Sequence, residues 1–247
     1  MGRHSVSGRR VWVTGASSGI GRAVSVELVR RGATVIASAR NESALQRLVE
    51  DCGRERVVAL PCDVTDREAN RRAAADMACR FGGLDVAFLN AGTCEYVEVE
   101  AFDSAVFERT MRTNFLSMVY GVEAVLPLLR QSPVPHLVGM SSTVAYAGLP
   151  RAEAYGASKA AITYLLESLR IDLYRSGITV SVCHPVSSER LSRIGTISRC
   201  PFASKWKKRP AESSTVSRQG SWTFTSPNGS AWRSNCWPSC RLESTRA

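Results

Sequence analysis

Apolar and polar positions follow two alternating regimes along residues 9–185. Short apolar runs lie at 10–14 (RVWVT), 33–39 (ATVIASA), 56–62, 84–89 (LDVAFL), 136–140 and 178–183 (ITVSVC). Their length and branched side chains predict buried strands. Between them, the stretches ending near 31, then 41–52, 65–80, one starting near 104, and 153–175 predict helices. Pro127 is expected to close the helix that starts near 104, and Pro185 to end the sixth strand. Six strands in alternation with helices predict an α/β fold. The expected form is a Rossmann-like, doubly wound parallel sheet with helices on both faces.

The turn after the first strand reads Gly15-Ala16-Ser17-Ser18-Gly19-Ile20-Gly21. Glycines there let the backbone approach a pyrophosphate, and the following helix offers free N–H groups and a partial positive charge. A plain tight turn can use the same glycines. The placement between a strand and a helix is the context that the phosphate motif requires. At the end of the second strand an acidic residue would bind the ribose 2′-hydroxyl of NAD. This chain has Ser38-Ala39-Arg40 instead. A guanidinium suits a 2′-phosphate and favours NADP(H), the alternative being a solvated surface arginine.

Tyr155 and Lys159 stand four residues apart, on one face of a predicted helix. A nearby cation favours the phenolate, so such a tyrosine can give a proton to a developing alkoxide and recover it. Ser142 ends the fifth strand, where its hydroxyl could polarise a carbonyl.

Taken in order, TGASSGIG, CDVTD, NAG, Asn114, Ser142 and Tyr155-x-x-x-Lys159 resemble the short-chain dehydrogenase/reductase family in its single-domain branch. The resemblance covers residues 9–185. It implies that Tyr155 is the general acid/base and that Lys159 lowers its pKa and binds the nicotinamide ribose. It implies that Ser142 positions the substrate carbonyl and that Asn114 supports a proton relay. Gly15, Ser17, Ser18, Gly19, Ile20 and Gly21 would hold the cofactor phosphates. Asp63 and Val64 would meet adenine, Asn90, Ala91 and Gly92 would close over the cofactor, and Pro185 would also contact it. Asn90 and Asn114 could instead satisfy backbone groups. The implied reaction moves a hydride between nicotinamide and a small carbonyl or alcohol. The family also implies a homodimer through the two long helices, at 104–126 and 153–175.

Charge changes the picture beyond Pro185. The 247 residues carry a net charge of +10, yet residues 186–247 hold 11 Lys and Arg against 3 Asp and Glu. Four of the five tryptophans (Trp206, Trp222, Trp232, Trp237) lie there with 14 serines, while Leu, Ile, Val and Phe number 8. That share is below the roughly 20% with which chains build cores. This stretch is expected to be aberrant, either disordered or poorly packed. The last helix and a seventh strand are expected to be lost. The family pattern of Pro-Gly followed by a threonine does not follow Pro185. A one-base slip at the codons of His184 and Pro185 accounts for it. Codons restored from VSSERLSR can read G-F-V-R-T-P-L-T, in family order.

The remaining features exclude more than they add. None of the eight cysteines forms a C-x-x-C pair, and no spacing matches a metal site. No apolar run reaches membrane-spanning length, and an N-terminal secretory pattern is lacking, so a cytoplasmic protein is expected. Lys205-Trp206-Lys207-Lys208-Arg209 resembles a nucleic-acid patch, but the frame slip explains it without such a partner. Two alternatives remain: a catalytically impaired dinucleotide-binding remnant, and a nucleic-acid binder acting through the basic stretch.

Overall fold

The computed structural model describes residues 6–185. The chain divides into two units after Val186. The basic patch at 205–209, the Cys236–Cys240 spacing and the expected loss of a last helix and strand all lie outside the described residues.

Six strands form one sheet: β1 (Arg10–Thr14), β2 (Thr34–Ser38), β3 (Val57–Ala59), β4 (Val86–Leu89), β5 (His136–Met140) and β6 (Thr179–Cys183). Their order is β3-β2-β1-β4-β5-β6, and every pairing is parallel. The helices are α1 (Gly19–Arg30), α2 (Glu42–Cys52), α3 (Arg67–Phe81), α4 (Ser104–Met111), α5 (Ser117–Leu129) and α6 (Glu153–Asp172). This is the Rossmann-like doubly wound architecture. Its strand order reverses direction between β1 and β4, where a crevice opens at the carboxyl ends of the strands.

Alternation along each strand divides the core in two. Trp12, Ile36, Ala87 and Leu137 point to one face, where Met77, Val125, Ile162 and Leu166 meet them. Val11, Val13, Val35, Ala37, Val86 and Val138 point to the other, against Leu45, Leu48 and Val49 of α2. Both faces are covered, so the strands read as unbroken apolar runs rather than as polar and apolar in turn. Gly139 admits α6 closely, since a Cβ there would lie 2.2 Å from Leu166 Cδ1.

Several boundaries differ from the sequence expectation. Asn41 and Asp66 are caps rather than helical residues, because their carboxamide and carboxylate oxygens accept first-turn N–H groups. The third strand is short, although Leu60 and Cys62 still donate to Ala37 and Ala39. Pro127 does not close its helix, which runs on to Leu129. Its ring removes one hydrogen bond, and Leu128 and Leu129 beyond it are held in the core. The long helix is instead interrupted earlier, by a wide π turn over Arg112–Leu116.

Candidate functional site

The crevice floor is built where β1 and β4 end. Gly15 and Gly19 take left-handed backbone angles, with φ of +69° and +54°. A Cβ on Gly21 would lie 2.2 Å from the Gly15 carbonyl oxygen and 2.6 Å from Asn90 Nδ2. The turn is therefore folded down onto Asn90. Asn90 Nδ2 donates to the Thr14 carbonyl at 3.1 Å. The Thr14 hydroxyl accepts two main-chain N–H groups, from Asn90 at 2.9 Å and Ala91 at 3.1 Å.

The start of α1 differs from those of α2, α3 and α4. Helices α2, α3 and α4 each carry an Asn or Asp side-chain cap. Ser18 precedes α1 without a side-chain capping bond, and the first turn holds no acidic residue. The first N–H groups of α1 are thus left for an outside acceptor, and the helix end favours an anion. Ser17 is half-buried, and Ser18, Gly19 and Ile20 are exposed along this opening. These features fit the pyrophosphate of a dinucleotide.

Arg40, Asp63 and Val64 lie toward the β3 edge. Arg40 and Asp63 line a cleft of about 610 Å³ with Cys62, Asp66 and Arg72. Partial burial would raise the Asp63 pKa. Two hydrogen bonds from Thr65 (3.0 and 2.8 Å) and the charge of Arg40 outweigh it, and the carboxyl titrates below its usual range. Val64 packs on the edge of the core.

The second group gathers beyond β4 and β5, three strand spacings from β2. That is about 14 Å across the sheet, a span suited to an extended dinucleotide. Asn114 is fully buried in the π turn. Its Oδ1 accepts the Thr93 N–H at 2.7 Å, and its Nδ2 donates to the Thr93 carbonyl and to Ser158 Oγ, both at 2.9 Å. Lys159 is 3% exposed and donates to the Met140 carbonyl at 2.8 Å. The Lys159 ammonium sits 5.6 Å from the Tyr155 ring centre, one helical turn along α6. A Cβ on Gly92 would lie 3.1 Å from Asn114 Oδ1 and 3.5 Å from Lys159 Nζ. Gly92, Asn114, Tyr155 and Lys159 therefore converge.

Ser142 follows β5 and is buried. Its hydroxyl caps the short turn Thr143–Tyr146, accepting the Val144 N–H at a long 3.4 Å. Ser141 joins β5 to α6 through the Lys159 carbonyl and Thr163. Pro185 lies just past β6, as the last described residue.

Sequence reading missed the supporting residues. Thr14 and Ser158 sit inside the quoted motifs, and their side-chain types hinted at hydrogen bonding. Thr93, Ser141 and His184 carry no signal of their own, because their partners come from distant segments. Among the described residues, no cluster of His, Cys, Asp and Glu could hold a metal ion. No described helix is long and apolar enough to cross a membrane.

The short chain dehydrogenase family profile matches residues 9–189. The chain is 34% identical over 177 residues to an oxidoreductase of Botryotinia fuckeliana, BOA17. That match covers 71% of this chain and 65% of the fungal protein. It is 37% identical over 171 residues to 11-beta-hydroxysteroid dehydrogenase A of Sesamum indicum, covering 68% of this chain and 49% of that protein. The chain thus spans about half to two thirds of these two relatives. A short-chain dehydrogenase structure from Streptomyces avermitilis superposes with a TM-score of 0.70 at 33% identity, covering 73% of this chain and 66% of that one. A putative short-chain alcohol dehydrogenase from Sinorhizobium meliloti superposes at 0.68 with 33% identity, covering 73% of each chain. The fold, the crevice and these likenesses agree: the chain belongs to the short-chain dehydrogenase family, whose members are oxidoreductases that use a nicotinamide dinucleotide.

Proposed function

We propose that the chain is an NADP(H)-dependent oxidoreductase of the carbonyl reductase or alcohol dehydrogenase type. The convergence of Gly92, Asn114 and Lys159 beside Tyr155 carries this reading. The bound cofactor would supply or accept the hydride. In the reducing direction the Tyr155 hydroxyl gives its proton to the carbonyl oxygen as the hydride reaches the carbon. Ser142 donates a hydrogen bond to the same oxygen. Lys159 holds positive charge beside the phenol, and Asn114 anchors the segment after Gly92. The turn from Gly15 to Gly21 takes the pyrophosphate, Asp63 and Val64 the adenine, and Arg40 the 2′-phosphate.

Turnover by this chain is expected to be slow. The family's substrate-closing segment would follow Pro185, where the composition departs from a core-forming one. That same change favours the second reading, a dinucleotide-binding remnant. Exposed Tyr164 in the middle of α6, Ile171 at its end and Tyr174 just beyond it support a homodimer through the long helices. Sedimentation of the purified chain checks that pairing.

The deciding experiment titrates the full chain with NADPH and NADH by fluorescence, then assays NADPH oxidation with a panel of aldehydes and ketones. NADPH binding with slow carbonyl reduction is the expected result. Binding without turnover supports the remnant, and no binding of either dinucleotide overturns both readings. Nucleotide sequencing across the codon for Pro185 tests the frame slip, which fails if the present tail is encoded in frame with an intact homologous locus.

A further inference from the structure

His184 links the end of β6 to the segment that carries Ser142. Its Nδ1 lies 3.2 Å from the Ser142 carbonyl oxygen. Its Nε2 lies 3.0 Å from the Tyr146 hydroxyl. The two rings are 4.9 Å apart at 44°. A carbonyl oxygen can only accept, so Nδ1 carries the proton. In the neutral ring Nε2 is then the acceptor, and Tyr146 donates to it. Burial pushes the His184 pKa below its usual value, against the opposing pull of the Ser142 carbonyl and of Glu167, and so supports the neutral form.

The consequence falls on Ser142. Residues 142–146 form one short turn, held internally by the long Ser142–Val144 hydrogen bond and by the Ala145 N–H on the Ser142 carbonyl. His184 grips both ends of that turn, at the main chain of residue 142 and the side chain of residue 146. We propose that His184 is a positioning residue, which as a neutral Nδ1–H imidazole clamps the Ser142 turn between its own carbonyl and the Tyr146 hydroxyl. The serine hydroxyl then faces a substrate oxygen from a fixed backbone. This deepens the oxidoreductase reading and rests on it for its catalytic consequence.

The test begins with the full chain labelled with 15N-histidine. His184 is assigned among the three imidazoles (His4, His136, His184) by its loss in His184→Asn. The expected spectrum shows Nδ1 protonated and Nε2 bare, with the Nε2 shift moving in Tyr146→Phe. An Nε2–H tautomer, or one unmoved by Tyr146→Phe, overturns the clamp whether or not the protein turns over. Hydrogen exchange at the Val144 amide should quicken in His184→Leu and stay slow in His184→Asn, whose amide can still donate to Ser142. In kinetics, His184→Leu should lower kcat about tenfold with NADPH affinity unchanged, and His184→Asn should restore most of it. Equal losses in both variants overturn the positioning role. A wild-type chain without turnover but with the expected tautomer contradicts the oxidoreductase reading and leaves the clamp standing.

Discussion

The Lys159 ammonium donates to the Met140 carbonyl oxygen across 2.8 Å, tying the middle of the candidate site to the last residue of β5. A buried ammonium has few orientations that satisfy it, so this bond fixes where the charge stands relative to Tyr155. It also joins α6 to the strand that leads into Ser142. Lys159→Met keeps an unbranched side chain one atom shorter and removes the charge. Under the proposed mechanism kcat/KM should fall at least about a hundredfold, with the circular dichroism spectrum retained. A variant with wild-type turnover would exclude Lys159 from the chemistry.

Gly21→Ala should be far more damaging than Gly156→Ala. The new Cβ at 21 would stand 2.2 Å from a main-chain oxygen, which cannot move without opening the turn. A loss of about 1–3 kcal/mol is expected, with NADPH binding weakened in parallel. At Gly156, inside α6, the nearest contact would be an ordinary 3.7 Å to the Val144 carbonyl oxygen. There alanine should stabilise by about 0.5–1 kcal/mol. Urea unfolding of the two variants makes the comparison.

Arg40→Asp should exchange cofactor preference. The guanidinium is exposed at the cleft that also holds Asp63. Its replacement by a carboxylate puts a like charge against a 2′-phosphate and offers an acceptor to a 2′-hydroxyl. NADPH affinity should drop at least about tenfold, the scale of one charge-assisted hydrogen bond, while NADH affinity holds or improves. Fluorescence titration with both dinucleotides reads the outcome.

Acid should destabilise the domain over two pH windows. His136 on β5 is half-buried, with Nε2 2.9 Å from Ser181 Oγ on β6. Burial, helped by the charge of Arg9, pulls its pKa down to about 4. The unfolded chain binds that proton first, so stability present above about pH 6.5 is lost as pH falls toward 4. Asp85 follows. Burial alone would raise its pKa, but hydrogen bonds from Arg10 and Ser132 hold it at about 2. Its contribution of about 2 kcal/mol is complete above pH 3.8 and drains as pH falls toward 2. Urea midpoints across this range should flatten in the upper window for His136→Gln and in the lower one for Asp85→Asn.

Much of the architecture was legible because a sheet covered on both faces writes its strands as apolar runs. Trp12 and Val13 point to opposite layers, yet both read as hydrophobic. The glycine turn and the Tyr155–Lys159 spacing were legible for a similar reason: each is a local pattern with a local geometry. The π turn at Arg112–Leu116 left no mark, since no proline or glycine announces it and the contact it makes through Asn114, with Thr93, spans 21 residues. Pro127 misled because the one hydrogen bond it removes does not outweigh the burial of Leu128 and Leu129 beyond it. The His184 bridge needs β6 beside β5, a register that no single segment encodes.

The Thr14 hydroxyl, which receives the Asn90 and Ala91 N–H groups, has a thermodynamic consequence. It fastens the loop after β4 to the end of β1 before any ligand arrives. A dinucleotide laid across this floor meets backbone already frozen into place. Little chain entropy is then surrendered on binding. The heat of association should therefore report contacts and released water rather than folding of the crevice.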